Sequence, residues 1–431
     1  MREPIPPHTA AFEGLSQRAG WAGGEPLANV LMAKALVNPG VISLAVGFVD
    51  QQTLPVGPTG QAFQQLWSDA EMARAALQYG TTRGHLPLRE AILERMLQAD
   101  GRSAGELQLS VDQVVVTAGS NQFLALVSDA LMDPGDIVIC GAPSYYVYLG
   151  TLRNLGVRAV GVATDHHGLI PAAVEEELSR RRAAGELQRV KAIYVTTYYD
   201  NPTGVSLSAE RRAELVEIAQ RWSSRQRIYV IEDAAYRELR YDGDDLPSLR
   251  SFDPEGKTVI LAGTFSKAFS PGIRVGWGIL PPALLAPVLA AKGNTDFGSP
   301  HFNQALMAAV LRLGLFEPHV KELRAGYRRK IDVMLHAAVE LLQPLGCIDW
   351  VRPSGGLYVW LRLPEHLDAG IGGPLFAAAV REGVLYVPGD YCYSEPLRAP
   401  RNRLRLSFGV PSCANIRRGM EALARAIGQV L

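Results

Sequence analysis

The sequence predicts an α/β protein built in layers around a mostly parallel sheet. Three observations predict it. From Val111 onward, short and nearly all-apolar runs alternate with amphipathic stretches. Those runs are too uniformly apolar for strands with one face in water, so both faces are covered by helices. And 431 residues are too many for one small core, so a second unit is expected.

Taken in order, residues up to about Gly24 read as an irregular arm. Leu27 to Leu36 reads as a helix, stopped by Asn38-Pro39-Gly40. Val41 to Leu44 is a short strand, followed by Gly47. Phe63 to Ala76 and Leu88 to Leu97 read as helices around a glycine-broken loop, Tyr79 to Pro87. Strands follow at Val114–Thr117, Asp136–Cys140, Val157–Val162, Ala192–Thr196, Ile228–Ile231, Thr258–Leu261 and Gly276–Leu280. Helices fit between them at Asn121–Met132, Pro171–Arg182 and Ala209–Arg221, and Pro171 suits a first helical position, where its missing N–H costs nothing. A long helix, Pro318 to Leu342, leads into a second unit. That unit has strands at Leu357–Leu363 and Leu404–Phe408, a helix at Pro374–Glu382 and a closing helix from Cys413.

Bulk properties exclude several classes. Lys+Arg and Asp+Glu both number 43, so nothing points to nucleic acid or an anionic membrane. Cys140, Cys347, Cys392 and Cys413 are scattered, which fits a reducing cytoplasm better than a disulfide framework or a zinc site. No apolar run is long enough to span a bilayer; the best, Leu280 to Ala291, is interrupted by prolines. His166-His167 has no ligand-spaced companion, so no metal is expected.

The stretch with most chemistry is Thr264-Phe265-Ser266-Lys267-Ala268-Phe269-Ser270-Pro271-Gly272-Ile273-Arg274. Burial among Phe265, Ala268 and Phe269 would lower the pKa of Lys267, and a neutral amine is what attacks a carbonyl. Arg274 stays charged and can grip a phosphate, with Ser266 and Thr264 as hydroxyl donors. A carbonyl cofactor bearing a phosphate, such as pyridoxal phosphate, satisfies the whole set; a solvated loop lysine satisfies it less well. Thr117-Ala118-Gly119-Ser120-Asn121 joins a strand to a helix and makes an anion site, or simply a capped helix. Asn201, in Asp200-Asn201-Pro202-Thr203-Gly204, is held in a rigid turn. Asp233 ends an apolar strand and needs a partner, either a protonated ring nitrogen or a helix terminus; Tyr236 follows at i+3. Tyr145 offers a ring to stack on a flat cofactor or to fill a core. Arg405 is a cation among apolar strand residues, paired if buried and solvated if not.

In this order, Gly47, Tyr79-Gly80…Gly84…Leu88-Arg89-Glu90, Gly119-Ser120-Asn121, Tyr145, Asn201-Pro202-Thr203-Gly204, Asp233…Tyr236, Ser266-Lys267…Arg274 and Arg405 resemble the class I/II pyridoxal-phosphate aminotransferases of fold type I. The resemblance covers nearly the whole chain and is closest to the 2-aminoadipate, kynurenine and aromatic aminotransferase subgroup. That subgroup also supplies the effector half of some transcription regulators; without a preceding helix-turn-helix, the enzyme is expected.

The resemblance implies a large domain with a central seven-stranded sheet and a smaller α+β domain made from both chain ends. It divides the chain into an arm with part of the small domain (1–60), the large cofactor-binding domain (61–310) and the small C-terminal domain (311–431). It implies a homodimer with shared active sites. Carried over, Lys267 is the Schiff-base lysine and Asp233 pairs with the ring nitrogen. Asn201 and Tyr236 bond the ring oxygen, and Tyr145 stacks on the ring. Gly119, Ser120, Asn121, Thr264, Ser266 and Arg274 surround the phosphate, with Tyr79 reaching in from the other subunit. Gly47, Asn201 and Arg405 meet the substrate. The expected reaction moves an amino group between an amino acid and a 2-oxo acid; the alternative is a β-lyase acting on cysteine conjugates, or other carbon-skeleton chemistry on the same fold, with the same residues. Phe48-Val49-Asp50 replaces the proline-containing turn frequent in the family. Lys34 is the only cation on the Leu27–Leu36 helix. An apolar or aromatic substrate is therefore expected over 2-aminoadipate.

Overall fold

The computed structural model describes residues 14–22, 30, 31, 33, 40–224, 226–346 and 348–431. Its strands, in chain order, are β1 (Ile42–Ser43), β2 (Val114–Thr117), β3 (Ile137–Ala142), β4 (Arg158–Asp165), β5 (Gly168–Leu169), β6 (Val190–Thr196), β7 (Tyr229–Asp233), β8 (Val259–Thr264), β9 (Gly276–Ile279), β10 (Asp349–Trp350), β11 (Tyr358–Arg362), β12 (Val384–Leu385), β13 (Val387–Pro388) and β14 (Arg403–Ser407). The large sheet has the order β2-β9-β8-β7-β6-β3-β4, extended at one edge by the two-residue β5. Neighbours from β8 through β7, β6 and β3 to β4 are parallel. Only β9, between β2 and β8, and β5 run the other way.

The alternation of side chains along each strand makes two cores. One face carries Val138, Cys140, Tyr194, Ile231 and Ile260, packed with Phe123, Leu124, Leu152 and Leu284. The other carries Ile137, Ile139, Ile193, Val230 and Val259, packed with Val174, Leu178, Leu215 and Ile218. Both faces are thus dry, which is why the strands read as continuous apolar runs.

The smaller unit is an antiparallel sheet, β10-β11-β14-β13. It shares its core with helices Phe316–Leu341, Pro374–Glu382 and Cys413–Gly428. β1 pairs in parallel with β12, joining residues from near the start of the chain to this unit.

Several elements differ from expectation. The helix expected over Phe63–Ala76 is two, Val56–Trp67 and Ala70–Leu77. Asp69 interrupts it, its carboxylate accepting from the N–H groups of Glu71 (2.7 Å) and Met72 (3.1 Å) as an N-cap. The apolar run at Leu280 becomes helix Pro282–Asp296, opened by Pro282 and carrying Pro287 inside it. Helices Tyr146–Asn154 and His301–Arg312 were not expected. Most of the Leu27–Leu36 helix, with Lys34, lies outside the described residues, as do most of the arm, Asn38, Pro39 and Cys347. Cys140, Cys392 and Cys413 are free thiols. Among the described residues, no helix is long and apolar enough to cross a membrane.

Candidate active site

The C-terminal ends of the parallel strands deliver most of the predicted residues. This is where ligands sit in open α/β sheets, because helix N-termini and loops converge there. β2 ends at Thr117 and feeds Gly119 and Ser120 into helix Ser120–Leu131; β7 ends on Asp233, and β8 ends on Thr264, three residues before Lys267.

Lys267 sits in a turn and donates from Nζ to the Gly47 carbonyl at 2.8 Å. Burial pushes its pKa down and the nearby Arg405 and Arg274 cations push the same way, against the opposing effect of the Tyr358 hydroxyl. Gly47 is required here, since a Cβ would collide with the Tyr358 hydroxyl.

Arg405, 1% exposed on β14, donates to Asn201 Oδ1 and to the Ala45 carbonyl, each at 2.7 Å. Its guanidinium lies over the Tyr358 ring, 4.2 Å from the centroid, with Tyr146 at 5.6 Å. Its Nε is buried with no hydrogen-bond partner, so one donor of a desolvated cation is left to spend. The Tyr236 and Tyr358 hydroxyls meet at 3.0 Å. Burial raises the pKa of Tyr236 and of Tyr145, so both phenols keep their protons.

Asp233 accepts from the Tyr194 hydroxyl at 3.0 Å and from the Ala235 N–H at 3.2 Å. Burial pushes its carboxyl up to about 6 despite those two bonds. A buried carboxylate in that state gains from a cationic partner. Tyr145 donates to Asn121 Oδ1 at 3.5 Å.

The anion cradle is equally specific. Gly119 has φ +86°, and a Cβ there would strike the Arg274 guanidinium; one on Gly276 would strike Ser120 N. Arg274 itself has φ +48° and donates to the Ala118 carbonyl (3.1 Å) and the Pro271 carbonyl (3.3 Å). No carboxylate partners it among the described residues. Thr264 Oγ1 donates to Ser266 Oγ at 2.9 Å and accepts from the Ser266 N–H at 3.1 Å. An unneutralised guanidinium, two hydroxyls and a helix N-terminus form a donor set suited to a phosphate dianion. With a desolvated lysine and a buried carboxyl nearby, the residues fit pyridoxal phosphate.

A model of the family "Aminotransferase class I and II" matches residues 39–423. The chain belongs to that family. The aminotransferase is 32% identical over 396 residues to an aromatic-amino-acid aminotransferase of Thermococcus litoralis, covering 92% of this chain and 90% of the relative. Among solved structures it is similar to the kynurenine aminotransferase of Pyrococcus horikoshii, with a TM-score of 0.87, 31% identity and coverage of 97% and 98%. It is also similar to the α-aminoadipate aminotransferase of Thermus thermophilus complexed with N-(5'-phosphopyridoxyl)-L-leucine, with a TM-score of 0.83, 30% identity and the same coverage. The aminotransferase is a pyridoxal-phosphate enzyme that transfers an amino group between an amino acid and a 2-oxo acid.

Tyr79 is the one predicted residue that stands apart from this constellation. It is 80% exposed, its ring edge-on to Phe297 at 5.5 Å. Sequence reasoning missed Tyr358 and Tyr194. Each lies in an apolar strand, where an aromatic residue reads as core; only Gly355-Gly356 ahead of Tyr358 hinted at a close approach.

Proposed function

We propose that this aminotransferase acts on amino acids with apolar or aromatic side chains, with the residue roles carried over from the family pattern. The observation that supports the substrate class is the wall beside Arg405, built from Tyr146, Tyr236 and Tyr358. Arg405 lies over this wall, and the reading commits it to the substrate α-carboxylate.

In this reading Lys267 holds the cofactor, Asp233 faces its ring nitrogen, and Asn201 and Tyr236 face its ring oxygen. Tyr145 lies on the ring, while Gly119, Ser120, Asn121, Thr264, Ser266 and Arg274 hold the phosphate. Pyridoxal phosphate, when bound, supplies a sink for the electrons released at the substrate Cα. Lys267 Nζ, once free, takes the Cα proton; burial lowers its pKa, which favours the neutral amine that this step needs. Arg405 spends its spare donor on the substrate α-carboxylate, orienting the Cα–H bond. Gly47 supplies a carbonyl that parks the ammonium of Lys267.

The proposal extends to a cytoplasmic homodimer with shared active sites, in which Tyr79 serves the partner's cofactor. The exposure of Tyr79 and Phe297, and of Phe63 and Trp67, which stack at 4.4 Å, supports a covered face there. The three free thiols support the compartment. The division at residues 60 and 310 is proposed with it, supported by the pairing of β1 with β12.

The test is the absorbance of the bound cofactor during addition of single amino acids. Leucine, phenylalanine or kynurenine should bleach the visible band, and a 2-oxo acid should restore it. Their kcat/KM should exceed that for 2-aminoadipate by roughly tenfold, the scale of a matched pocket. A reversed preference would refute the substrate class, and a band inert to every amino acid would refute the reading of the site.

A further inference from the structure

Lys292 is fully buried on helix Pro282–Asp296 and has no part in the roles assigned above. It donates to both carboxylate oxygens of Asp296, at 2.8 and 2.9 Å, and to Ser299 Oγ at 3.0 Å. Asp296 accepts in turn from Gln122 Nε2 at 2.9 Å and from Ser299 Oγ at 3.0 Å. Gln122 Oε1 accepts from the Ala118 N–H at 2.7 Å. The other side of residue 118 is also held, its carbonyl accepting from Arg274 Nη2 at 3.1 Å. Residue 118 is therefore clamped at both its polar atoms, by the phosphate-gripping arginine and by a chain that ends on a buried ammonium.

The surroundings make this arrangement costly to hold without a use. A buried ammonium loses its hydration, and burial pushes the pKa of Lys292 down although Asp296 opposes it. The pair is spaced i, i+4 toward the end of its helix, and a solvated pair of that spacing would support the helix as well. What the pair of a buried ammonium and a half-buried carboxylate adds is a fixed orientation for the Gln122 amide. With its Nε2 committed to Asp296, the amide must turn Oε1 toward Ala118. Gln122 lies in the first turn of helix Ser120–Leu131; ahead of it the N–H groups of Ala118 and Gly119 are taken by Gln122 Oε1 and the Thr117 carbonyl, so those of Ser120 and Asn121 are the ones left to meet an anion.

We propose that Lys292, Asp296 and Gln122 form a positioning relay that sets the phosphate cradle at Ala118-Gly119-Ser120. None of the three is a catalytic residue. They act through the backbone of residue 118 and through Arg274. The inference rests on the reading of that loop as the phosphate site.

The experiment titrates the cofactor-stripped full chain with pyridoxal 5'-phosphate and with pyridoxal. Both can react with Lys267, and only the first carries a phosphate, so the ratio of their affinities isolates the cradle. In Gln122→Leu and in Lys292→Met that ratio should fall by roughly tenfold, the scale of one hydrogen bond lost from a coupled network. Pyridoxal affinity should change by less than about twofold. Gln122→Leu leaves the buried ion pair in place, so it decides the matter where Lys292→Met does not fold. An equal loss for both ligands means a general structural role and overturns the relay, as does an unchanged ratio in Gln122→Leu. Arg274→Gln separates the two levels. A ratio that falls in Arg274→Gln alone refutes the relay and leaves the cradle standing; a ratio unchanged in Arg274→Gln refutes the cradle itself.

Discussion

Lys267 and Arg405 are both held by backbone carbonyls of one short segment, those of Gly47 and Ala45. A carbonyl satisfies a donor without cancelling its charge. Arg405 therefore keeps its full attraction for an anion, and Lys267 can lose its proton without leaving a buried carboxylate unpaired. Replacing Lys267 by Ala removes the proposed proton carrier and should lower kcat by at least about 100-fold, the low end of what a positioned acid–base group contributes. Stopped-flow measurement of one half-reaction checks this, and turnover within tenfold of the parent would refute it. At this scale the sequence was informative where chemistry demanded a particular residue type. A lysine at a strand end between hydroxyls, and an arginine inside an apolar strand, are each hard to explain by packing. Tyr358 and Tyr194 were not legible, because a tyrosine in a buried strand looks the same whether its hydroxyl meets a carboxylate, as that of Tyr194 does, or only fills space.

One level up, the long helix Phe316–Leu341 does more than pack the smaller unit. Its Tyr327 hydroxyl accepts from the Asp50 N–H at 3.0 Å, and Lys330 pairs with the Asp50 carboxylate at 2.7 Å. Lys330 also donates to the Gly409 carbonyl at 2.9 Å. The helix thereby ties the Gly47–Asp50 segment to the end of β14, which carries Arg405. Lys330→Met would strand a largely buried carboxylate and should cost about 3 kcal/mol, the low end for breaking a buried pair. Denaturant unfolding measures it, and the double variant with Asp50→Asn should recover part of the loss. A Lys330→Met protein as stable as the parent would show the pair to be idle. The sequence placed this helix within two residues at its start because its apolar stripe is long and regular. It missed the first part of Val56–Trp67, ahead of Phe63, where Gly57, Pro58 and Gly60 imitate a loop, and all of His301–Arg312, which follows Gly298, Ser299 and Pro300 directly. Strand positions were legible because both faces of the large sheet are dry; their ends shifted by one to three residues where polar side chains take part in the ladder, as at Asp165 and Asp233.

Across the whole molecule, three acids are buried close to the sheet's C-terminal edge. Burial raises Asp200 and Asp233 to about 6 and Glu232 to about 7. Each folded value lies above the unfolded one, so the folded chain binds extra protons. The stability they contribute is complete below a pH of about 4 and is lost as pH rises through about 6 and then about 7. The cofactor-free protein should accordingly weaken between pH 4.5 and 8. Glu232→Gln should flatten that decline by roughly 3 kcal/mol, as the linkage for its shift requires. Chemical denaturation at several pH values reads it, and an unaltered pH slope would contradict the assignment. The face bearing Tyr79 is the part of the molecule that a single chain makes least legible, because the purpose proposed for its residues needs a second surface.

The pairing of β1 with β12 also fixes an order of events during synthesis. Ile42 leaves the ribosome early, but its partner Val384 follows only after nearly the whole chain, a delay on the order of tens of seconds at ordinary elongation rates. The large sheet can assemble in that interval. Ala45 and Gly47, just beyond β1, cannot take their places against Arg405 and Lys267 until the last strands arrive. The newborn chain thus completes the surroundings of Lys267 and Arg405 last, and an incomplete translation product lacks those fittings.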